Sequence, residues 1–272
     1  MTAPRNDSAG LFGPGSLAWR IDRELVVLAG GSCALLMQAA HPVVAAGVVE
    51  HSSYATDPFG RLMRTLASSF DVVFGTRSTA EAAIDRVNAI HRSVRGRMPD
   101  GATYTALDPE AMLWVHATLI DTSLRIYRRF VAPLSAADEQ AYHAEAGRVA
   151  VMLGVPPGVV PPTIAELRAW MDGMLADGRV QVTPPARRIA RTVLYPVSWL
   201  PRVAWDGAHL VSMATLPDPL RRQYGIRWSP ARERGVERMA AASRRLLPLL
   251  PPLLRFVPQA RRAERRVRMA RV

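Results

Sequence analysis

An all-α fold, built as a single multi-helix domain, is what this 272-residue chain predicts. Three observations lead there. Alanine, leucine, valine and arginine dominate while aromatic residues make up 7%, a composition that favours helices over sheets. No long alternating run of β-branched residues bounded by turns occurs. Apolar residues recur instead at spacings of three and four, the period of a helix face. With 49% hydrophobic residues, the chain carries enough apolar surface for one large core.

The elements follow in order. Residues 1–16, polar and rich in Gly and Pro, read as a flexible arm, and 17–254 as the helical domain. Residues 17–40 predict one apolar helix, and Pro42 suits the first turn of the next, through about Val49. Leu25–Val49 carries no formal charge over 25 residues, long enough to span a bilayer. Gln38 and the break at His41–Pro42 argue instead for two buried helices. HSSYATDPFG (51–60) is a loop, 61–74 a helix stopped by Gly75, and Ser78 or Thr79 can cap a helix over about 79–96. After a loop to Asp108–Pro109, a long helix over about 109–130 groups Met112, Leu113, His116, Leu119 and Ile120 on one face. Ser135 caps a helix ending at Gly154, Pro156–Pro162 is a linker, and helices follow near 163–177 and 184–194. An apolar stretch surrounds Trp199 and Trp205, and beyond Pro217 the chain is helical and broken by prolines.

The formal net charge is +12, and every basic residue other than histidine is arginine. Without lysine, no Schiff base and no lysine general base is available. Residues 255–272 hold seven arginines and one glutamate, which makes this segment a basic tail: a solvated terminus by default, or a peripheral contact with acidic lipid. No zinc-finger spacing or other nucleic-acid module accompanies it, so no nucleic-acid partner is expected. Cys33, the single cysteine, excludes an intramolecular disulfide and a Cys-rich metal site. The N-terminus does not read as a secretory signal. The expected compartment is the cytoplasm, with membrane association through the tail as the alternative.

Two patterns carry chemistry. In AIHRSVRG, Ile84, Val87, His91 and Val94 lie at spacings of three and four, placing His91 in the middle of an apolar face with Arg95 one turn on. An arginine beside an imidazole raises the cost of protonating it and favours the neutral, metal-binding form. Upstream, Arg61, Arg64, Thr65 and Ser68 follow i, i+3, i+4, i+7, either as a solvated face or as the lining of a polar pocket that donates hydrogen bonds to an oxyanion or dioxygen. His51 and His116 are further candidate ligands; a satisfied core histidine is the plainer reading of His116. No HExxH, GxSxG or P-loop motif occurs.

LLMQAAHPVVAAGVVEHSSYATDPFGRLMRT (35–65), the segment around AIHRSVRG (89–96) and DPEAMLWVHATLID (108–121) resemble the MpaB/latex-clearing-protein (rubber oxygenase) family. The resemblance is strong over about 20–155 and weaker to about 255. It implies a globin-like helical core that holds haem b, with His91 as the proximal iron ligand and Arg95 one turn later. Arg61 and Thr65 match the distal arginine and threonine. Arg64 stands where latex-clearing proteins have a lysine that closes the distal site, and Glu50 is the nearest counterpart of their acidic base. The implied reaction is dioxygen-dependent oxidation or C=C cleavage of a small apolar, isoprenoid substrate. A non-catalytic haem or lipid carrier is the alternative.

Overall fold

The computed structural model describes residues 7–196 and 201–270. Helices make up most of it. They are α1 (Leu17–Asp22), α2 (Gly31–Ala39), α3 (Pro42–His51), α4 (Pro58–Phe74) and α5 (Arg77–Ser93). After a two-stranded antiparallel ribbon of β1 (Arg95–Arg97) and β2 (Thr103–Thr105) come α6 (Pro109–Phe130), α7 (Ala136–Met152), α8 (Ile164–Ala176) and α9 (Pro184–Leu194). Short helices α10 (Arg202–Ala208), α11 (Leu210–Thr215) and α12 (Asp218–Gln223) lead to α13 (Pro230–Leu246), α14 (Pro252–Arg255) and α15 (Pro258–Met269).

The caps explain most boundaries. Pro42 and Pro58 sit in first turns, where a missing N–H costs nothing. Asp57 caps α4 by accepting from the Gly60 N–H. Ser135 with Asp138 and Thr163 with Glu166 form reciprocal capping boxes on α7 and α8. Thr76, rather than Ser78 or Thr79, caps α5, so that helix starts two residues earlier than expected.

The core is organised around α6. Trp114 is fully buried and donates from Nε1 to the Met37 carbonyl of α2 at 2.8 Å. On its other side α2 packs against α9. Gly30 sits where a Cβ would come within 2.6 Å of Thr122 and 2.8 Å of Ile126, so glycine permits this close approach to α6. The buried carboxylates of α6 and α7 are paired: Asp121 with Arg125 and Arg168, Glu139 with Arg128 and Arg168.

Several expectations change. The single helix expected over 17–40 is three pieces, because Leu25–Gly30 winds as a 3-10 turn behind the buried Glu24, which is held by Arg255. The break expected at His41–Pro42 is present: Leu25–Ala39 and Pro42–His51 bend by 103°, and among the described residues no single helix is long and apolar enough to cross a membrane. Leu119 is 48% exposed and does not share the inward face of Met112 and Leu113. Residues 1–6 of the expected arm, Trp199, and residues 271 and 272 lie outside the described residues. Part of the arm is tied down: Phe12 is in the core and the Ser8 carbonyl accepts from Arg266. The segment read as a basic tail contains α15, which buries Ala260, Ala263 and Val267 against Trp19 and Phe74. Its spacing of small apolar residues between arginines is that of a docked amphipathic helix.

Candidate functional site

Helices α4 and α5 form an antiparallel hairpin, seventeen residues each, joined through Gly75 and Thr76. Equal lengths and a two-residue connection put the first turns of α4 level with the last turns of α5. Arg61 therefore stands at the height of His91. The end of α3, the 52–57 loop and the β1–β2 ribbon close the same end of the hairpin.

His91 occupies the last turn of α5, half-buried, and its Nδ1 is buried with no hydrogen-bond partner. Burial lowers its pKa, which leaves the ring neutral and its lone pair available near neutral pH. At this end of the hairpin Phe59, Leu62 and Met63 of α4 and Ile90 of α5 are all exposed.

Arg95 is not where the helical spacing put it. Helix α5 ends at Ser93, Val94 is extended, and Arg95 is an exposed residue of β1. The physical reason is the ribbon: Arg95 pairs with Thr105 and Gly96 with Tyr104, so strand pairing replaces the last helical turn. Arg95 enters the site through its backbone, whose carbonyl accepts from His51 Nε2 at 3.2 Å.

The α4 stripe divides. Arg61 is half-buried, and burial together with Arg64 one turn away lowers its pKa. Arg64 is exposed and turned toward the loop, donating to Asp57 Oδ2 and Ser53 Oγ at 3.0 Å each. That bond and the Gly60 N–H hold the Asp57 carboxylate below its ordinary pKa. Thr65 is exposed and its hydroxyl donates to the Arg61 carbonyl at 2.9 Å. Ser68 is half-buried.

One partnership was not anticipated from the sequence. Tyr104 on β2, 5% exposed, donates its hydroxyl to Glu50 Oε2 in a short hydrogen bond. Burial and the Glu50 carboxylate push the phenol up to about 12. His51 Nε2 lies 3.9 Å from the same Glu50 oxygen. Gly96 lets the group assemble: a Cβ there would fall 2.5 Å from Glu50 Oε2 and 2.8 Å from the Tyr104 ring. The sequence signal available was slight, a three-residue TYT strand facing a glycine.

His116 stands apart from this flank. It faces α7, where it hydrogen-bonds the Ala146 backbone and lies near His143, and burial brings its pKa down to about 4. Buried ring nitrogens without partners also occur at His41, His116, His143 and His209. His91 differs from these in its place, at the end of the hairpin that carries the half-buried Arg61. No group of three or more His, Cys, Asp or Glu able to hold a metal ion is present among the described residues. A lone imidazole held neutral, with a free ring nitrogen, could hold the iron of a group that brings its other ligands with it, as haem does; it would not make an all-protein metal cage. Two surface pockets, of about 430 Å³ beside α7 and about 580 Å³ between α9 and α12, have neither His91 nor Arg61 in their walls.

A family model described as "ER-bound oxygenase mpaB/B'/Rubber oxygenase, catalytic domain" matches residues 19–245. Two mycobacterial proteins, both described as uncharacterised, one from Mycobacterium bovis and one from Mycobacterium tuberculosis, are each 29% identical over 226 residues. Each alignment covers 80% of this chain and 87% of the relative. No solved structure matches.

Proposed function

The chain belongs to the ER-bound oxygenase mpaB/B'/rubber oxygenase catalytic-domain family, and from that premise we propose that it is a haem b-dependent oxygenase acting on a small apolar, isoprenoid substrate. The observation that carries the reading is His91: an imidazole held neutral by burial, with an unpartnered buried Nδ1, at the end of the α4–α5 hairpin that also carries the half-buried Arg61. His91 is the residue that would hold the iron. Bound haem would supply an iron centre that activates dioxygen for oxidation or cleavage of a C=C bond; in cleavage both oxygen atoms enter the two carbonyl products, and no external reductant is consumed.

The chain's own residues have distinct parts. Phe59, Leu62, Met63 and Ile90 offer apolar contact to the macrocycle or the substrate. Arg61 brings positive charge in half-buried surroundings, where it acts more strongly on an anionic or polarised oxygen than a solvated arginine would. The Thr65 hydroxyl proton is engaged by the Arg61 carbonyl, so toward a ligand its oxygen acts as an acceptor until that bond turns outward. Arg64 orients the 53–57 loop. Glu50 accepts the Tyr104 hydroxyl at Oε2, which fixes its carboxylate at the edge of this flank.

The test is reconstitution of the purified chain with haem b. A Soret band that forms in wild type and is lost or shifted in His91→Ala supports the ligand assignment; an identical spectrum in His91→Ala removes it. Oxygen consumption with terpenoid alkenes separates the oxygenase from a carrier, which would show the spectrum and no turnover.

A further inference from the structure

We propose that the leucine-rich strap over residues 246–254 docks on an anionic lipid bilayer, its leucines entering the acyl boundary and the arginines around it meeting acidic headgroups. In LLPLLPPLL (246–254), Leu246, Leu249, Leu250, Leu253 and Leu254 are exposed at 57, 78, 36, 64 and 58%. Scattered exposed leucines are ordinary, but five within nine residues form a contiguous apolar feature of the kind that marks an interaction surface.

The strap is fastened at both ends, so the exposure is not that of a loose terminus. Before it, α13 buries Val236 and Ala240 and the Ser243 hydroxyl donates to the Phe130 carbonyl at 2.7 Å. After it, Arg255 grips the buried Glu24 through Nη2 and Nε at 2.7 and 2.9 Å. The backbone is also pinned, by a bridge between Glu24 and Phe256 and by the Val257 N–H on the Arg23 carbonyl at 2.9 Å. Leu25, 46% exposed, lies beside this junction and extends the apolar face. Prolines 248, 251 and 252 fix the backbone between the anchors and keep the leucines from folding back into a continuous helix.

Charge selects the occupant. Arg244 and Arg245 precede the strap, Arg262, Arg265 and Arg268 follow it, and all five are exposed. Between residues 238 and 270 the single acidic residue is Glu264, already bonded to Arg23. A second copy meeting this face about a two-fold axis would set arginine against arginine. A bilayer rich in acidic headgroups complements the rim and takes up the leucines together, the two contributions that hold peripheral segments at membrane surfaces. The proposal is independent of the haem reading, because the strap shares no residue with the α4–α5 flank.

Co-sedimentation of the full chain with phosphatidylcholine vesicles, with and without about 30% phosphatidylserine, tests it. The expected result is binding to the anionic vesicles about tenfold or more above the neutral ones, reduced by about 0.5 M salt. Leu249→Asp/Leu253→Asp should abolish that binding while leaving the circular dichroism spectrum and thermal midpoint unchanged, since both side chains are exposed. The proposal is overturned if wild type stays in the supernatant with both vesicles, or if the double variant binds as wild type does. It is also overturned if sedimentation velocity finds a dimer that the double variant dissolves while vesicle binding is absent.

Discussion

Helix α6 and the α4–α5 hairpin use their residues differently. Of the 22 residues of α6, thirteen are buried, including Trp114, Leu124 and the paired Asp121. The two 17-residue helices of the hairpin together bury Val72, Phe74, Ala80, Ala83 and Ile84, all clustered toward the Gly75 turn. The opposite end of the hairpin, where His91 also lies, keeps Phe59, Leu62, Met63 and Ile90 in solvent. The same helical period thus serves two ends: on α6 it fills a core, and on α4–α5 it presents a surface. The residues proposed for the site fall on the second, where few packing constraints compete with chemistry.

Core truncation gives the largest test of this contrast. Trp114→Ala removes a fully buried ring and its hydrogen bond to Met37, and should cost about 3–5 kcal/mol in urea denaturation. Leu62→Ala, at a residue 39% exposed, should stay within about 0.5 kcal/mol of wild type. Equal losses from the two would mean that the hairpin is core after all.

His116 sharpens the contrast through pH. His116 titrates near 4 in the folded chain against about 6.5 when unfolded, because burial disfavours its charged form. Between those values the unfolded state binds the extra proton. Stability is therefore full above about pH 6.5 and is lost as pH falls toward 4, at up to about 1.4 kcal/mol per pH unit for this one group. Plotted as unfolding free energy against pH, His116→Gln should be flatter than wild type across that window. Parallel curves would show that His116 contributes nothing to acid sensitivity.

What was legible in the sequence follows from where each signal resides. Pro42, Gly75, Ser135 with Asp138, and Thr163 with Glu166 act within one turn of themselves, so the boundaries they set could be read locally. The break at 25–30 could not, because it rests on Glu24 meeting Arg255 and Phe256 more than 200 residues away. The residues of the site were legible by type and in their family motif, yet their arrangement was not. Arg95 leaves the helix because the ribbon with Thr105 and Tyr104 outcompetes one more helical turn, and three-residue strands carry almost no periodic signal. Likewise, nothing near Arg64 in sequence distinguishes an arginine facing a ligand from one that latches Ser53 and Asp57.

Gly96→Ala probes that ribbon directly. The added methyl meets the Glu50 carboxylate and the Tyr104 ring. Glu50 is half-exposed and can swing aside, whereas Tyr104 is buried, so overpacking should cost about 1–3 kcal/mol, toward the lower end. Because relief comes by displacing Glu50, the short Tyr104–Glu50 bond should break, and the Tyr104 phenol should titrate below its wild-type value near 12 in ultraviolet absorbance. An unchanged titration together with unchanged stability would show that the ribbon does not hold the pair together.

Arg64→Met should have the smallest effect, and it decides to which region Arg64 belongs. Its partners Asp57 and Ser53 lie on the surface loop, and the Asp57 side chain is solvent-exposed, so the denaturation midpoint should not move measurably. If Arg64 serves the loop alone, haem-reconstituted Arg64→Met should keep the wild-type Soret position, whereas Arg61→Met, which removes the half-buried guanidinium level with His91, should shift it. A shift in Arg64→Met as large as that in Arg61→Met would mean that the arginine leaves Asp57 when the flank is occupied. It would then stand in for the lysine that the resemblance to latex-clearing proteins implies at this position, and the loop latch would be its resting position.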